Sequence, residues 1–376
     1  MMTTIRAPEL RLCDDNYLYI GVIDYQKLEY EERWNGRDTW EMSLLRSATI
    51  AEYVQTGRIV HYYDPDDTKI RALIIKQIDV DYETIKVTGN DYLGDLFGVR
   101  LALVNTQSGN GYDMQTGDAE TVMRNYLSGN ITEATVPARR DPLLKLAPVN
   151  LLRGQNVSVA ARFQPLLEIL ESCCTQGYVG WEGIVVEDEA QVWGWSIEFR
   201  IRIGVDRSQV QATNSPIILS EEFGTAKINR FTDTLPEGTV AVVAGQGEAA
   251  ERTQILVGDV TLTGLARREL FVDARDVDTV EQLQLRGSEA LADAESTSIE
   301  VEYLQSGSFA YVRDFLIGDI VTVDAGIYGA YDLPIAVVKR TWETEKYEVM
   351  ITLGAEATDV VRLIREQTRK TPDRRK

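Results

Sequence analysis

The chain has 376 residues, 44% of them hydrophobic and 26% charged, which excludes a disordered polymer and supplies more than one typical core. With 59 acidic against 39 basic residues the formal net charge is -20, which excludes a protein whose main work is gripping nucleic-acid phosphates. Three cysteines, Cys13 and the adjacent Cys173 and Cys174, exclude a disulfide framework and suit a reducing compartment.

No signal peptide is expected, because MMTTIRAPELRLCDD has no apolar stretch behind a basic start. Apolar runs such as Val240 to Ala244 are strand-length, well short of the roughly 20 residues of a membrane helix, so no membrane segment is expected. Residues 8–100 alternate in short β-branched and aromatic segments separated by turn clusters such as Asp64-Pro-Asp-Asp67, the pattern of antiparallel strands. Within them LEYEERWNGRDTWEMSLL places Leu28, Tyr30, Glu32 and Trp34 at period two before Asn35-Gly36, and Trp40, Met42 and Leu44 after it. That spacing predicts a hairpin with a tight Asn-Gly turn. Its two tryptophans, Trp34 and Trp40, are candidate packing or interface residues, with ligand stacking the weaker reading.

Helices are expected over AETVMRNYL, capped by Asp118 and closed by Gly129, and over PLLEILESCCTQ, ended by Gly177. YVGWEGIVVEDE and QVWGWSIEFRIRIG then read as strands around a solvated Glu187-Asp-Glu189 turn, which makes residues 101–215 an α+β insertion. PIILSEE, TVAVVAGQGE and RTQILV return to strand, followed by a helix over 276–296 with Val280, Leu283, Leu291 and Ala294 on one face and an interruption at Gly287. Strands from IEVEYLQ to MITLG close the folded part. A basic tail follows, in which Arg369, Lys370, Arg374, Arg375 and Lys376 are candidates for docking a partner.

Residues 57–89 (GRIVHYYDPDDTKIRALIIKQIDVDYETIKVTG) and 318–354 (GDIVTVDAGIYGAYDLPIAVVKRTWETEKYEVMITLG) share one plan. Each begins Gly-charged-Ile-Val, crosses a polar turn, enters an apolar strand, turns through acidic residues and ends on an alternating strand at Gly. The likeness predicts two similar β-barrels in one chain. Three copies would then set six similar units around an axis.

No chemistry-bearing constellation emerges. His61, the only histidine, lies in the strand-like IVHYY, where packing is expected, and no Cys/His spacing fits zinc. Gly194-Trp-Ser-Ile-Glu198 departs from the nucleophile-elbow pattern at its last position. Gly245-Gln-Gly247 leads into another strand candidate rather than the helix of a dinucleotide site. Acidic clusters such as Glu221-Glu222 read as solvated turns. No cofactor, metal or catalytic residue is assigned.

In their order, LEYEERWNGRDTWEMSLL, VTGNDYLGDLFGVR, VAVVAGQGEAAERTQILV with RRELFVDARDV, GSEALADAES and GDIVTVDAGIYGAYDLPIAVVKRTW…VMITLG resemble the baseplate hub proteins of phage tails. These include the hub region of tail-associated lysins and the central hub of contractile tails. The resemblance spans about residues 10–356. It implies a β-rich α+β fold with two antiparallel β-barrel hub domains, at 1–100 and at 216–270 with 310–356. An α+β insertion would occupy 101–215, a helical insertion 271–309 and a basic helix or tail 357–376. It further implies a non-enzymatic homotrimer in the virion, assembled in the bacterial host cytoplasm. Its expected partners are a distal tail protein, tail-tip or fibre proteins and a tape measure protein. DNA would only pass through its channel, and an acidic wall would avoid holding the genome. A lysin would continue into a hydrolase, which is expected to be absent or separately encoded. A carbohydrate-binding or peptidoglycan-cleaving tail protein, and the hub of a phage-like secretion machine, are the alternatives.

Overall fold

The computed structural model describes residues 7–103, 111–209, 216–233, 235–247, 252–275, 277, 279–292, 297–304, 309–344 and 346–354. The candidate docking residues Arg369, Lys370, Arg374, Arg375 and Lys376 lie outside them.

The first unit is built from strands Glu9–Cys13 (β1), Tyr19–Ile23 (β2), Lys27–Arg33 (β3), Thr39–Leu45 (β4), Ile59–Tyr63 (β5), Ile70–Val80 (β6) and Thr84–Asp91 (β7). They lie in the order β3-β4-β7-β6-β5-β1-β2. Alternation does what period two requires: in β3 Leu28, Tyr30 and Glu32 are buried and Lys27, Glu29, Glu31 and Arg33 face outward. Trp40 of β4 pairs with Tyr30 and is 3% exposed, packed with Met42, Leu44, Val60, Leu73 and Val87.

The hairpin is present, but its turn is wider than a two-residue Asn-Gly connection. Pairing stops at Glu31 and Thr39, and neither Asn35 nor Gly36 has positive φ. Trp34 is outside β3 because its amide donates to the Ala336 carbonyl (3.0 Å) of another strand. The Asp38 carboxylate meanwhile accepts from the Arg33 amide at 2.8 Å and from the Tyr30 hydroxyl, closing the loop in place of a tight turn.

An inserted α+β unit follows: Tyr92–Val99 (α1), Asp113–Asp118 (β8), Ala119–Leu127 (α2), Leu144–Leu146 (β9), Asn156–Ala161 (β10), Leu166–Gly177 (α3), Gly180–Glu187 (β11) and Trp195–Arg202 (β12). Asp118 caps α2 through the Thr121 amide at 2.9 Å. Gly129 does not end that helix; the chain continues through a π-helical turn, Ser128–Thr132. Gly177 remains inside α3, where an added Cβ would lie 2.4 Å from Ala119. This close approach uses the glycine, so Tyr178 takes the left-handed conformation instead.

The second unit contains Ile218–Leu219 (β13) and Ala226–Asp233 (β14), and then a small unit of Val240–Ala244 (β15), Gln254–Gly258 (β16), Glu269–Asp273 (β17) and helix Val280–Ala292 (α4). It resumes with Thr297–Tyr303 (β18), Ile320–Asp324 (β19), Ala330–Glu343 (β20) and Lys346–Gly354 (β21). β18 covers the IEVEY read as strand in the sequence, inside the 271–309 span that the resemblance made a helical insertion, and it lies in the second sheet. α4 runs without a break through Gly287, which packs on Val257, and it buries Leu283 while Val280 is exposed. Ala294 lies outside the described residues.

The duplication extends beyond the three strands read in sequence. The first unit's β3-β4-β7-β6-β5-β1 is matched by β14-β18-β21-β20-β19-β13, although β13 joins β19 in parallel where β1 joins β5 antiparallel. β6 has a bulge between Ile75 and Gln77, and β20 has one between Ile335 and Val337. Gly57 donates to the Ile75 carbonyl at 2.8 Å, and Gly318 to the Ile335 carbonyl at 2.9 Å. Both glycines have φ of +86°.

Among the described residues neither sheet closes into the expected barrel. Past its bulge β20 pairs with β3, from Val337 opposite Arg33 to Glu343 opposite Lys27, and so occupies the edge that a closing strand would need. The two sheets instead form one sheet of 13 strands. Trp40→Ala is expected to cost about 3–5 kcal/mol by emptying the first core, read as a lower denaturant midpoint.

Candidate functional site

The seam between β3 and β20 is lined beneath by a buried charge network. Glu32, in the inward phase of β3, is 3% exposed. Its Oε1 accepts from Arg202 of β12 at 2.6 Å and from Arg71 of β6 at 3.4 Å, and its Oε2 accepts from the Tyr311 hydroxyl at 2.8 Å. Arg340 of β20, 1% exposed, pairs with Asp64 and faces the rings of Trp342, Tyr311 and Tyr30. Burial alone would raise the Glu32 carboxyl, but Arg71, Arg202 and Arg340 outweigh it and hold it well below the usual range.

Beside it stands a second carboxylate pair. The Asp38 amide donates to Asp91 Oδ1 at 2.8 Å, and Asp91 caps α1 through the Gly94 amide at 2.6 Å. Burial, with the nearby Glu32 charge, pushes Asp38 up to about 6. Burial and Asp38 likewise raise Asp91.

Trp34, half-buried, is the wedge of this junction. The Arg202 guanidinium lies 5.4 Å from its ring centroid, and Gly180 of β11 and Gly318 ahead of β19 meet it from the inserted and second units. An added Cβ on Gly318 would come within 2.2 Å of the indole. Trp34 and Trp40 are therefore not one site: Trp40 fills the first core, while Trp34 joins three units of one chain.

The remaining candidates occupy packing positions. His61 is 7% exposed, edge-on to Trp195 with centroids 4.4 Å apart, and burial then Arg11 lower it to about 4. Ser196 lies inside β12, bonded to Asp188. Asp188, expected in a solvated turn, is buried with Lys145 and Ser196 as partners. Among the described residues no group of three or more His, Cys, Asp or Glu is arranged to hold a metal ion.

The outward face of the seam is polar and charge-balanced. Lys27, Arg33, Lys86, Lys339 and Lys346 pair with Glu29, Glu31, Glu41, Glu343 and Glu348 across and along the strands. The chain's acidic excess does not lie on this face.

Sequence reasoning missed the network because Glu32, Asp64 and Arg71 were read as strand and turn decoration. A signal was present: Glu32 falls in phase with Leu28 and Tyr30, and Arg340 with Val338 and Trp342. A charge in the apolar phase of a strand requires a buried partner.

Three solved structures share this architecture across both sheets and the units between them. The prophage MuSo2 43 kDa tail protein from Shewanella oneidensis is 13% identical, with a TM-score of 0.56 over 92% of this chain and 98% of that chain. Prophage tail protein gp18 from Listeria monocytogenes EGD-e is 12% identical, with a TM-score of 0.55 over 96% and 98%. The tail protein from Neisseria meningitidis MC58 is 12% identical, with a TM-score of 0.54 over 93% and 97%. The fold is thus one found in phage tail proteins. No curated protein matches the chain. The family model of the Siphovirus ReqiPepy6 Gp37-like protein matches residues 9–355, and the chain belongs to that family of tail proteins.

Two outcomes follow from the junction. Gly57→Ala meets open space and costs about 1–2 kcal/mol for its left-handed backbone, whereas Gly318→Ala costs about 1–3 kcal/mol more by displacing Trp34; paired denaturation curves check this. Because the folded Asp38 value lies above its ordinary 3.8, its stabilising contribution is present below about pH 4 and is lost as pH rises through about 6. Relative to wild type, Asp38→Asn should be most destabilised below about pH 4 and regain ground as pH rises through about 6 to 8, read as Tm against pH.

Proposed function

We propose that this tail protein is a structural baseplate hub: a homotrimeric ring between hexameric tail components and the tail tip. The observation that supports it is the repeated strand order, with two copies of one sheet unit joined edge to edge in a single chain. Three such chains present six similar units to a sixfold neighbour, and the inserted units differ between the copies, which suits a threefold neighbour. Closure of the barrels, left open in the single chain, would then come from neighbouring chains. The polar face of the joined sheet is the proposed channel wall. Its interleaved acids and bases give passing DNA neither a continuous grip nor a uniform repulsive field.

In this reading the distal tail protein, the tip or fibre proteins and the tape measure protein are the partners, the basic tail docks one of them, and the protein is not an enzyme. The test combines mass in solution with a hydrolysis assay on peptidoglycan. A trimer of about three chain masses without hydrolysis is expected. A monomer that cleaves glycan would overturn the reading in favour of a carbohydrate-active tail protein.

A further inference from the structure

The two halves of the duplicated sheet do not have equal hydrogen-bonding partners. In β20 the segment before the bulge pairs with β19, and the segment after it, Val337–Glu343, pairs with β3. In β6 the segment before the bulge pairs with β5 as far as Ile74. The segment after it, Gln77–Val80, pairs with β7 on one side and with no described strand on the other. In the second unit β14 is the counterpart of β3. It pairs with β18 on one side and ends the sheet on the other. A chain that holds one complete seam therefore also carries the two unmatched halves of a second.

We infer that β14 of one copy adds antiparallel to the post-bulge segment of β6 in the next copy, repeating between chains the β3–β20 seam within each chain. The number of copies rests on the ring proposed above; the choice of edges does not. The bulges and the common pairing to β7 and β21 fix the register. Val337 corresponds to Gln77, Arg340 to Val80, Tyr30 to Phe231 and Glu29 to Arg230. Transferring the seam places Asp79 opposite Thr232 of the partner subunit, Val80 opposite Phe231 of the partner subunit, and Asp81 opposite Arg230 of the partner subunit.

The side chains suit this register. On the core side Val80 is 59% exposed and Phe231 is half-buried, stacked on Tyr328. On the polar side an acidic edge, Asp79 and Asp81, meets a basic one, Arg230 and Lys227, as Glu343 meets Lys27 in the seam within the chain. Tyr82, 86% exposed at the β6–β7 turn, lies next to this edge. Two unpaired edges on one molecule, one acidic and one basic, are complementary to each other rather than to themselves. The contact is head-to-tail, so it closes into a ring or runs on as a filament according to the rotation between copies.

Cysteines at directly opposite antiparallel positions have Cβ atoms about 4.5–5.5 Å apart. The native Cys13, Cys173 and Cys174 are buried and leave a clean background. The full chain carrying Asp79→Cys with Thr232→Cys should give covalent dimers and trimers on mild oxidation, and neither single variant should. Native mass spectrometry of Arg230→Asp should show the association midpoint moved to about tenfold higher concentration, restored by adding Asp81→Arg. A trimer that forms without cross-linking and ignores Arg230→Asp would overturn these edges and leave the ring standing. A wild-type chain that stays monomeric at all concentrations would overturn both.

Discussion

The fold depends on one carboxylate. Glu32 sits where the two sheets and the inserted unit converge, and it receives Arg71 from the first sheet, Arg202 from the insertion and Tyr311 from the second unit. In a buried, low-dielectric place Glu32 and each of these two arginines would be costly alone, so the arrangement favours the one geometry in which all are matched. Apolar contacts are indifferent to small sliding movements. A carboxylate with several directional partners is not, and here it sets the register of β3 against β20 from below while backbone hydrogen bonds set it from within the sheet.

Trp34 performs the complementary task by shape. The indole fills a space bounded by glycines from two other units, and its own amide joins β20. Charge and shape therefore act at the same junction, and the seam is not a passive meeting of two finished sheets. Within one chain it behaves as part of a core.

The strands were legible in the sequence, since alternation such as that of KLEYEER and TWEMSLL translates directly into one dry and one wet face. The duplication was also legible where Gly57 and Gly318 open the same meander, and the structure extends it to strands whose sequences share nothing obvious. What could not be read was closure. Period two specifies which face of β3 is buried but not which strand takes its edge, and that edge went to β20. Local signals failed for the same kind of reason. Asn35-Gly36 favours a tight turn, yet the Asp38 carboxylate and the pull of Trp34 toward Ala336 prevail. Gly177 was available as a helix terminator, but packing against Ala119 used it first. The buried charges were hidden because Glu32 and Asp64 look like ordinary surface residues until their partners Arg202 and Arg340, 170 and 276 residues away, are placed beside them.

The position of the small β15–β17 and α4 unit has a practical meaning. It occupies the connection between β14 and β18, the equivalent of the short connection between β3 and β4 that carries Trp34 and Asp38. The same doorway is thus locked in one half of the molecule and stands open in the other, where more than 50 residues already pass without disturbing the sheet. A foreign domain meant to ride on this protein belongs in the second doorway, where the sheet already tolerates a folded passenger.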